Sequence, residues 1–395
     1  MKKASFALVP FLILILAGCM ALPASQTSST SSTQSNASAA AALPSGSVQQ
    51  AQYQPTITVN SAVFAQIQTT FQEIYQNVNP SVVNIQTVQS VGRSLVTGEG
   101  SGFVWDLQGH IVTNNHVVDG ASQITVVFAT GDALTAKVIG TDPASDLAVI
   151  QVDASKAALR PVAIGDSSLV QVGDLVIAIG NPYGLSGTMT QGIVSALSRS
   201  LTVDASNPFS SSSYTIPDII QTDAAINPGN SGGVLVNGNS EVIGVTSAIQ
   251  SNTNSNSGVG FVIPAKIVQK VVPVLISKGS YAHPSLGLTG TTLTPVVASE
   301  VGLDTTLQGV LVVDLTPGGP ADKAGIISSS QQMARPGLVT VTAGDVITAV
   351  DGRSLKTYED LVSYLFNSTE VGQKVALTIL RDGKQQTVNV TLGSN

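Results

Sequence analysis

Between Val82 and Val262 the chain is written in short Val, Ile and Leu runs broken by Gly, Asn, Asp and Ser: SVVNIQTV, ITVVFA, DLAVIQV, DLVIAIG and EVIGVTSAI. Runs of that length, rich in β-branched residues and closed by turn formers, suit strands rather than helices. So many short strands in one stretch predict a sandwich or a barrel. Composition agrees, with 43% hydrophobic residues, 10% charged and 37 glycines. At 395 residues the chain exceeds what one core usually holds, so about two or three domains are expected.

The flanks differ from this strand-rich stretch. Lys2 and Lys3 precede an apolar run from Ala4 to Leu16, of a length that fits a signal h-region. It ends in LAGC, which is similar to a bacterial lipobox and makes Cys19 a candidate lipidation site; an ordinary signal peptide cut nearby is the alternative. Residues 1–19 are therefore set apart from the fold. From 20 to 60 the chain is mostly Ser, Thr, Ala and Gln, too polar to offset the entropy of ordering it, and reads as a tether. Phe64, Ile67, Phe71, Ile74, Tyr75 and Val78 then repeat at three and four, predicting a helix that stops before Pro80. Asn207 to Ser213 reads as a mobile loop. A second unit begins near His283, with strands GVLVVDL and KVALTIL. Its helix opens at TYED, where Thr357 caps, Asp360 reciprocates, and Leu361, Tyr364 and Leu365 face inward.

The formal net charge is -7, and no lysine or arginine run follows residue 3, which leaves no electrostatic footprint for nucleic acid. Cys19 is the only cysteine, so no intramolecular disulfide exists. The stretch NPGNSGG, Asn227 to Gly233, can be a tight turn or a serine beside converging backbone N–H groups. A nucleophilic serine needs a base and an orienting carboxylate. Only His110, His116 and His283 can supply the base. His110 enters a strand from a turn, where a solvent-facing ring is the ordinary outcome, and His283 lies in the joint between domains. His116 stands in TNNHVV, just past a strand end. Asp146 opens the apolar strand DLAVI, where it either caps the strand or is buried facing His116.

TNNHVV, DLAVI and NPGNSGG, in the order His, Asp, Ser, resemble the three active-site blocks of the HtrA (DegP/DegQ/DegS-like) family of serine proteases. GNP at Gly180 to Pro182 and QGIVSAL at Gln191 to Leu197 extend the likeness, which runs from about Asn60 to the end of the chain. The resemblance implies a mainly β fold: a trypsin/chymotrypsin-like double β-barrel over 61–278, then one C-terminal PDZ domain over 279–395. It implies His116 as general base, Asp146 as its orienting acid, Ser231 as nucleophile, and the Gly229 and Ser231 N–H groups as the oxyanion hole. Val234 stands where the family often has Pro or Ala. No cofactor is implied, and no metal, since cysteine pairs and clustered histidines are lacking.

Further expectations rest on the same likeness. Ala225 occupies the position where Lys- or Arg-selective trypsin-like enzymes carry an acid, so a pocket including Ile226, Thr246, Ser247 and Ala248 would accept small or medium aliphatic side chains; core packing is the alternative for Ile226. SLGLTG resembles a PDZ carboxylate-binding loop centred on Leu286, Gly287 and Leu288, or is a plain strand start. Arg199 follows the family segment that leads into a regulatory loop, and is either a switch residue or a surface arginine. The function implied is an exported, lipid-tethered endopeptidase of the bacterial envelope. It would degrade unfolded or damaged proteins, bind peptide C-termini and assemble as a homotrimer. A non-catalytic peptide-binding scaffold or chaperone is the competing reading.

Overall fold

The computed structural model describes residues 61–92, 94–182, 187–203, 214–247, 258–335 and 338–394. The expectations for Cys19, for segments 1–19 and 20–60, for the 207–213 loop and for Ala248 lie outside the described residues. Helix α1 (Ser61–Val78) ends one residue before the Asn79–Ser81 turn that contains Pro80.

Two closed six-stranded barrels follow. The first holds β1 (Val82–Val91), β2 (Ser94–Val104), β3 (His110–Thr113), β4 (Gln123–Val127), β5 (Ala133–Asp142) and β6 (Leu147–Gln151), interrupted by the one-turn helix α2 (Asn115–Val118). Its spatial order is β1-β2-β3-β6-β5-β4, and β4 closes on β1. The second holds β7 (Leu175–Gly180), β8 (Thr188–Val203), β9 (Tyr214–Thr222), β10 (Val234–Val236), β11 (Val242–Ser247) and β12 (Gly260–Pro264), in the order β10-β11-β12-β9-β8-β7.

The apolar runs are unbroken because both faces of these strands are buried. In β6, Ala148 and Ile150 fill the first barrel, while Leu147 and Val149 point to a core shared with the other barrel. In β7 the same alternation puts Val176 and Ala178 inside the second barrel and Ile177 and Ile179 into the shared core. Helix α3 (Ala265–Lys278) covers that core with Ile267, Val268, Val271, Val272 and Leu275, and ends on Gly279. This helix has no counterpart in the sequence reading. Its β-branched residues and the internal Pro273 are poor helix signals, and burial of its apolar face overrides them.

The PDZ unit contains β13 (Pro284–Ser285), β14 (Leu288–Thr292), α4 (Pro295–Glu300), β15 (Val310–Leu315), α5 (Pro320–Lys323), β16 (Ser330–Arg335), β17 (Leu338–Thr342), β18 (Val346–Val350), β19 (Arg353–Ser354), α6 (Tyr358–Ser368), β20 (Lys374–Arg381), β21 (Lys384–Thr391) and β22 (Gly393–Ser394). The main sheet runs β14-β15-β18-β20-β21, so β14 is an edge strand, and it lies beside α6. Thr357 and Asp360 form the expected capping box at the start of α6; Leu361 and Leu365 are buried, and Tyr364 packs against the core at its margin. Among the described residues no helix is long and apolar enough to cross a membrane.

Candidate active site

The turn from Asp142 to Leu147 delivers Asp146 to the seam of the two barrels. Its backbone is left-handed there (φ 53°), a conformation that aspartate tolerates better than most residues. The carbonyl of Asp146 accepts Asn114 Nδ2 at 2.9 Å and the Asn115 N–H at 3.1 Å, which ties the acid to the start of α2. The carboxylate, fully buried, lies 2.8 Å (Oδ2) and 3.0 Å (Oδ1) from His116 Nδ1 and accepts the His116 backbone N–H at 3.0 Å. Ser247 Oγ adds a longer contact at 3.3 Å. A carboxylate facing Nδ1 favours the tautomer with the imidazole proton on that nitrogen, which leaves Nε2 as the acceptor.

The turn carrying Ser231 is held from both barrels. On the second, Gly232 N–H donates to Thr246 O at 2.8 Å, Thr246 N–H to Gly233 O at 3.0 Å, and Thr246 Oγ1 to Asn230 O at 2.6 Å. Thr246 thus grips the serine turn while its neighbour Ser247 grips Asp146. Ser231 is nearly buried, and its carbonyl accepts the Ser101 N–H from the first barrel at 2.7 Å. Gly229 has φ 92°, and a Cβ there would come within 2.7 Å of Pro182 Cβ, so only glycine fits. A serine hydroxyl, a base with a favoured tautomer, and a glycine turn together can perform acyl transfer.

The expected residues separate into groups. His116, Asp146, Ser231 and Gly229 converge with Thr246 and Ser247, whose buried hydroxyls donate to Asn230 O and Asp146 Oδ2. Ile226 packs into the second barrel's core with Ala224 and Val262. Arg199 is on β8, exposed, and paired in register with Ile219 between two bulges; its side chain makes no ion pair or hydrogen bond among the described residues. In the PDZ unit Leu286 is buried, Gly287 has φ 66°, and its N–H donates to Ser285 Oγ at 3.1 Å; Leu288 opens the edge strand. His110 differs from expectation: its ring is mostly buried, with Nδ1 2.6 Å from Asp106 Oδ2. Among the described residues, no three His, Cys, Asp or Glu side chains converge as a metal set would.

Ser101 and Asn114 were not foreseen as site residues. The signal for Ser101 was present: Gly98, Gly100 and Gly102 alternate through β2 around it, and glycines inside a strand mark close backbone approach.

Paired six-stranded barrels with a His–Asp couple and a serine turn at their seam make this a trypsin-like peptidase joined to a PDZ unit. A family described as trypsin-like peptidase domain matches residues 100–245, and one described as PDZ domain matches 284–392. The chain is 41% identical over 327 residues to the chloroplastic Protease Do-like 1 of Arabidopsis thaliana, covering 81% of this chain and 70% of that protein. It is 41% identical over 295 residues to the periplasmic serine endoprotease DegP of Salmonella typhimurium, covering 74% of this chain and 56% of the relative. The chain thus spans only about half the length of its DegP-like bacterial relatives, 54% of that from Brucella suis. A solved HtrA-type protease, AlgW with tripeptide, superposes with TM-score 0.65 at 32% identity, covering 82% of this chain and 97% of that one. A serine endoprotease from Yersinia pestis superposes with TM-score 0.58 at 31% identity, covering 82% of this chain and 98% of that one. The chain belongs to the HtrA family of Do-like serine endopeptidases.

Proposed function

We propose that the chain is an envelope serine endopeptidase that degrades unfolded or damaged proteins through an acyl-enzyme. His116 Nε2 takes the Ser231 proton as Oγ attacks the scissile carbonyl, and Asp146 stabilises the imidazolium that forms. The N–H groups of Gly229 and Ser231 receive the developing oxyanion. His116 then gives its proton to the leaving amine, and water repeats the sequence to release the acid product. The observation that carries this reading is the buried carboxylate of Asp146 at 2.8 Å from His116 Nδ1, beside a turn that only glycine permits.

The PDZ unit, over 279–395, would take peptide C-termini as an added strand along the free edge of β14, with its carboxylate at Leu286 to Leu288. Carboxylate entry there competes with the Ser285 hydroxyl already on Gly287 N–H. An aliphatic specificity pocket over Ala225, lipid attachment at Cys19 with 20–60 as spacer, and homotrimer assembly belong to the same reading, as does Arg199 as a switch residue. Relatives named as periplasmic support the envelope location. Casein digestion by the full chain beside its Ser231→Ala form tests the core of it: cleavage by the wild type alone is expected, and equal digestion by both forms would sink the assignment.

A further inference from the structure

Ser101 lies within β2 of the first barrel and has no solvent exposure. A buried hydroxyl is costly unless its hydrogen-bonding capacity is used. Here Oγ donates to the Gly229 carbonyl at 2.6 Å and accepts the Asn181 N–H at 2.8 Å. An amide N–H can only donate, so the single hydroxyl proton is directed at Gly229. The backbone of Ser101 extends the grip: its N–H donates to Ser231 O at 2.7 Å, and its carbonyl accepts Thr113 Oγ1 at 2.7 Å. Asn181 is fixed on its other side, where its carbonyl accepts Asn84 Nδ2 at 2.8 Å, and the next residue, Pro182, abuts Gly229. One serine of the first barrel therefore touches both residues whose N–H groups are read as the oxyanion donors, and both lie on the second.

We propose that Ser101 is the positioning residue of the oxyanion hole, its hydroxyl tethering the Gly229 carbonyl across the barrel seam so that the Gly229 N–H stays aimed at the substrate oxygen. The proposal rests on the reading of Gly229 and Ser231 as the donor pair. Glycine has the widest backbone freedom of any residue, and its N–H and C=O are linked through only φ and ψ. Anchoring the carbonyl removes conformations in which the N–H points elsewhere. Such preorganisation acts where charge develops, in the transition state, and leaves ground-state binding of the peptide alone.

The test compares wild type, Ser101→Ala, Ser101→Cys and Ser101→Thr with a fluorogenic peptide bearing Val before the scissile bond, and with a peptide boronate whose adduct on Ser231 presents an oxygen to the hole. Peptide binding without cleavage is measured in a Ser231→Ala background. Loss of a whole oxyanion donor costs about 10²- to 10³-fold, so loss of its tether should lower kcat by about 10- to 100-fold. KM should stay within about twofold, as for an interaction made only in the transition state. Boronate affinity should fall by the factor seen in kcat, and uncleaved-peptide affinity should not change. Ser101→Cys, near in volume but a weak donor, should show the same losses as Ala and carries the test where the alanine form does not fold; Ser101→Thr, which keeps the hydroxyl, should recover most of the loss. Full boronate affinity in Ser101→Ala or Ser101→Cys overturns the proposal, as does an equal loss for the boronate and the uncleaved peptide. Fluorophosphonate labelling of wild-type Ser231 separates the two readings: a labelled serine with unaffected Ser101 variants removes only the role of Ser101, whereas an unlabelled serine removes the triad beneath it.

Discussion

His283 Nε2 lies 2.8 Å from each carboxylate oxygen of Asp142, across the joint between the peptidase and the PDZ unit. The same carboxylate accepts Ser145 Oγ and the Ala144 N–H, so it shapes the turn that ends at Asp146. On its other side the His283 ring stacks on Phe366 of α6, with centroids 4.6 Å apart. Replacing His283 with Ala leaves Asp142 buried without its ring partner. The expected cost is about 3 kcal/mol, read as a lower urea midpoint of the full chain. An unchanged midpoint would mean that the pair contributes nothing to the joint.

Lys270 on α3 reaches into the same joint and donates from Nζ to the Phe366 carbonyl at 2.6 Å. Burial lowers its pKa below the usual lysine value, against the opposing pull of Glu370. The folded chain therefore holds its Lys270 proton less tightly than the unfolded chain does. Stability from this group rises as pH climbs from the lowered pKa toward the ordinary lysine value, and is lost as pH falls through that window. Urea midpoints of Lys270→Met against pH should show a shallower alkaline rise than wild type; parallel curves would exclude the effect.

Asp146→Asn keeps the shape of the side chain but offers His116 Nδ1 an amide that can bind the wrong tautomer. A fall of about 10⁴-fold in kcat is expected with the fold retained. Combined with Ser231→Ala the losses should not add, as follows from the proposal that His116, Asp146 and Ser231 act as a unit. Casein cleavage and circular dichroism of the single and double variants check both statements.

Gly229→Ala places a Cβ 2.7 Å from Pro182 Cβ on a backbone at φ 92°. The left-handed strain alone is worth about 1–2 kcal/mol. Relief requires the turn to move, which would withdraw the Gly229 N–H proposed as an oxyanion donor and lower kcat by about 10²- to 10³-fold. Retention of wild-type kcat together with wild-type thermal stability would contradict the close packing at Pro182.

Arg381 in the PDZ unit holds the fully buried Asp345, with Nε 2.7 Å from Oδ1 and a second contact from Nη2. Arg381→Ala should destabilise that unit by about 3–5 kcal/mol, since it strands a buried carboxylate. Calorimetry of the full chain measures this, and the unaltered peptidase site should still label with a fluorophosphonate.

Strand runs, the capping box at Thr357 and the three sequence blocks that resemble the family were legible in the linear chain because each is local. Period-two burial, a side chain bonding three residues ahead, and a glycine-rich serine turn are all written within a few neighbouring positions. Helix α3 escaped because its propensity points elsewhere and its apolar face matters only against a core assembled from both barrels. The buried hydroxyls of Thr246 and Ser247, the burial of Ile226 and the Asp106 contact of His110 likewise depend on what surrounds each residue.

The sequence alone therefore determined the β-rich class, the order of the chemical residues and the second unit, because short-range patterning sets strand faces and turns. Only the tertiary structure decided that Ser101 joins Gly229 to Asn181, that Ser247 meets Asp146, and that His283 closes on Asp142. Those pairs lie 128, 80, 101 and 141 residues apart, and hydrogen bonds over such separations exist only once both barrels have closed and packed.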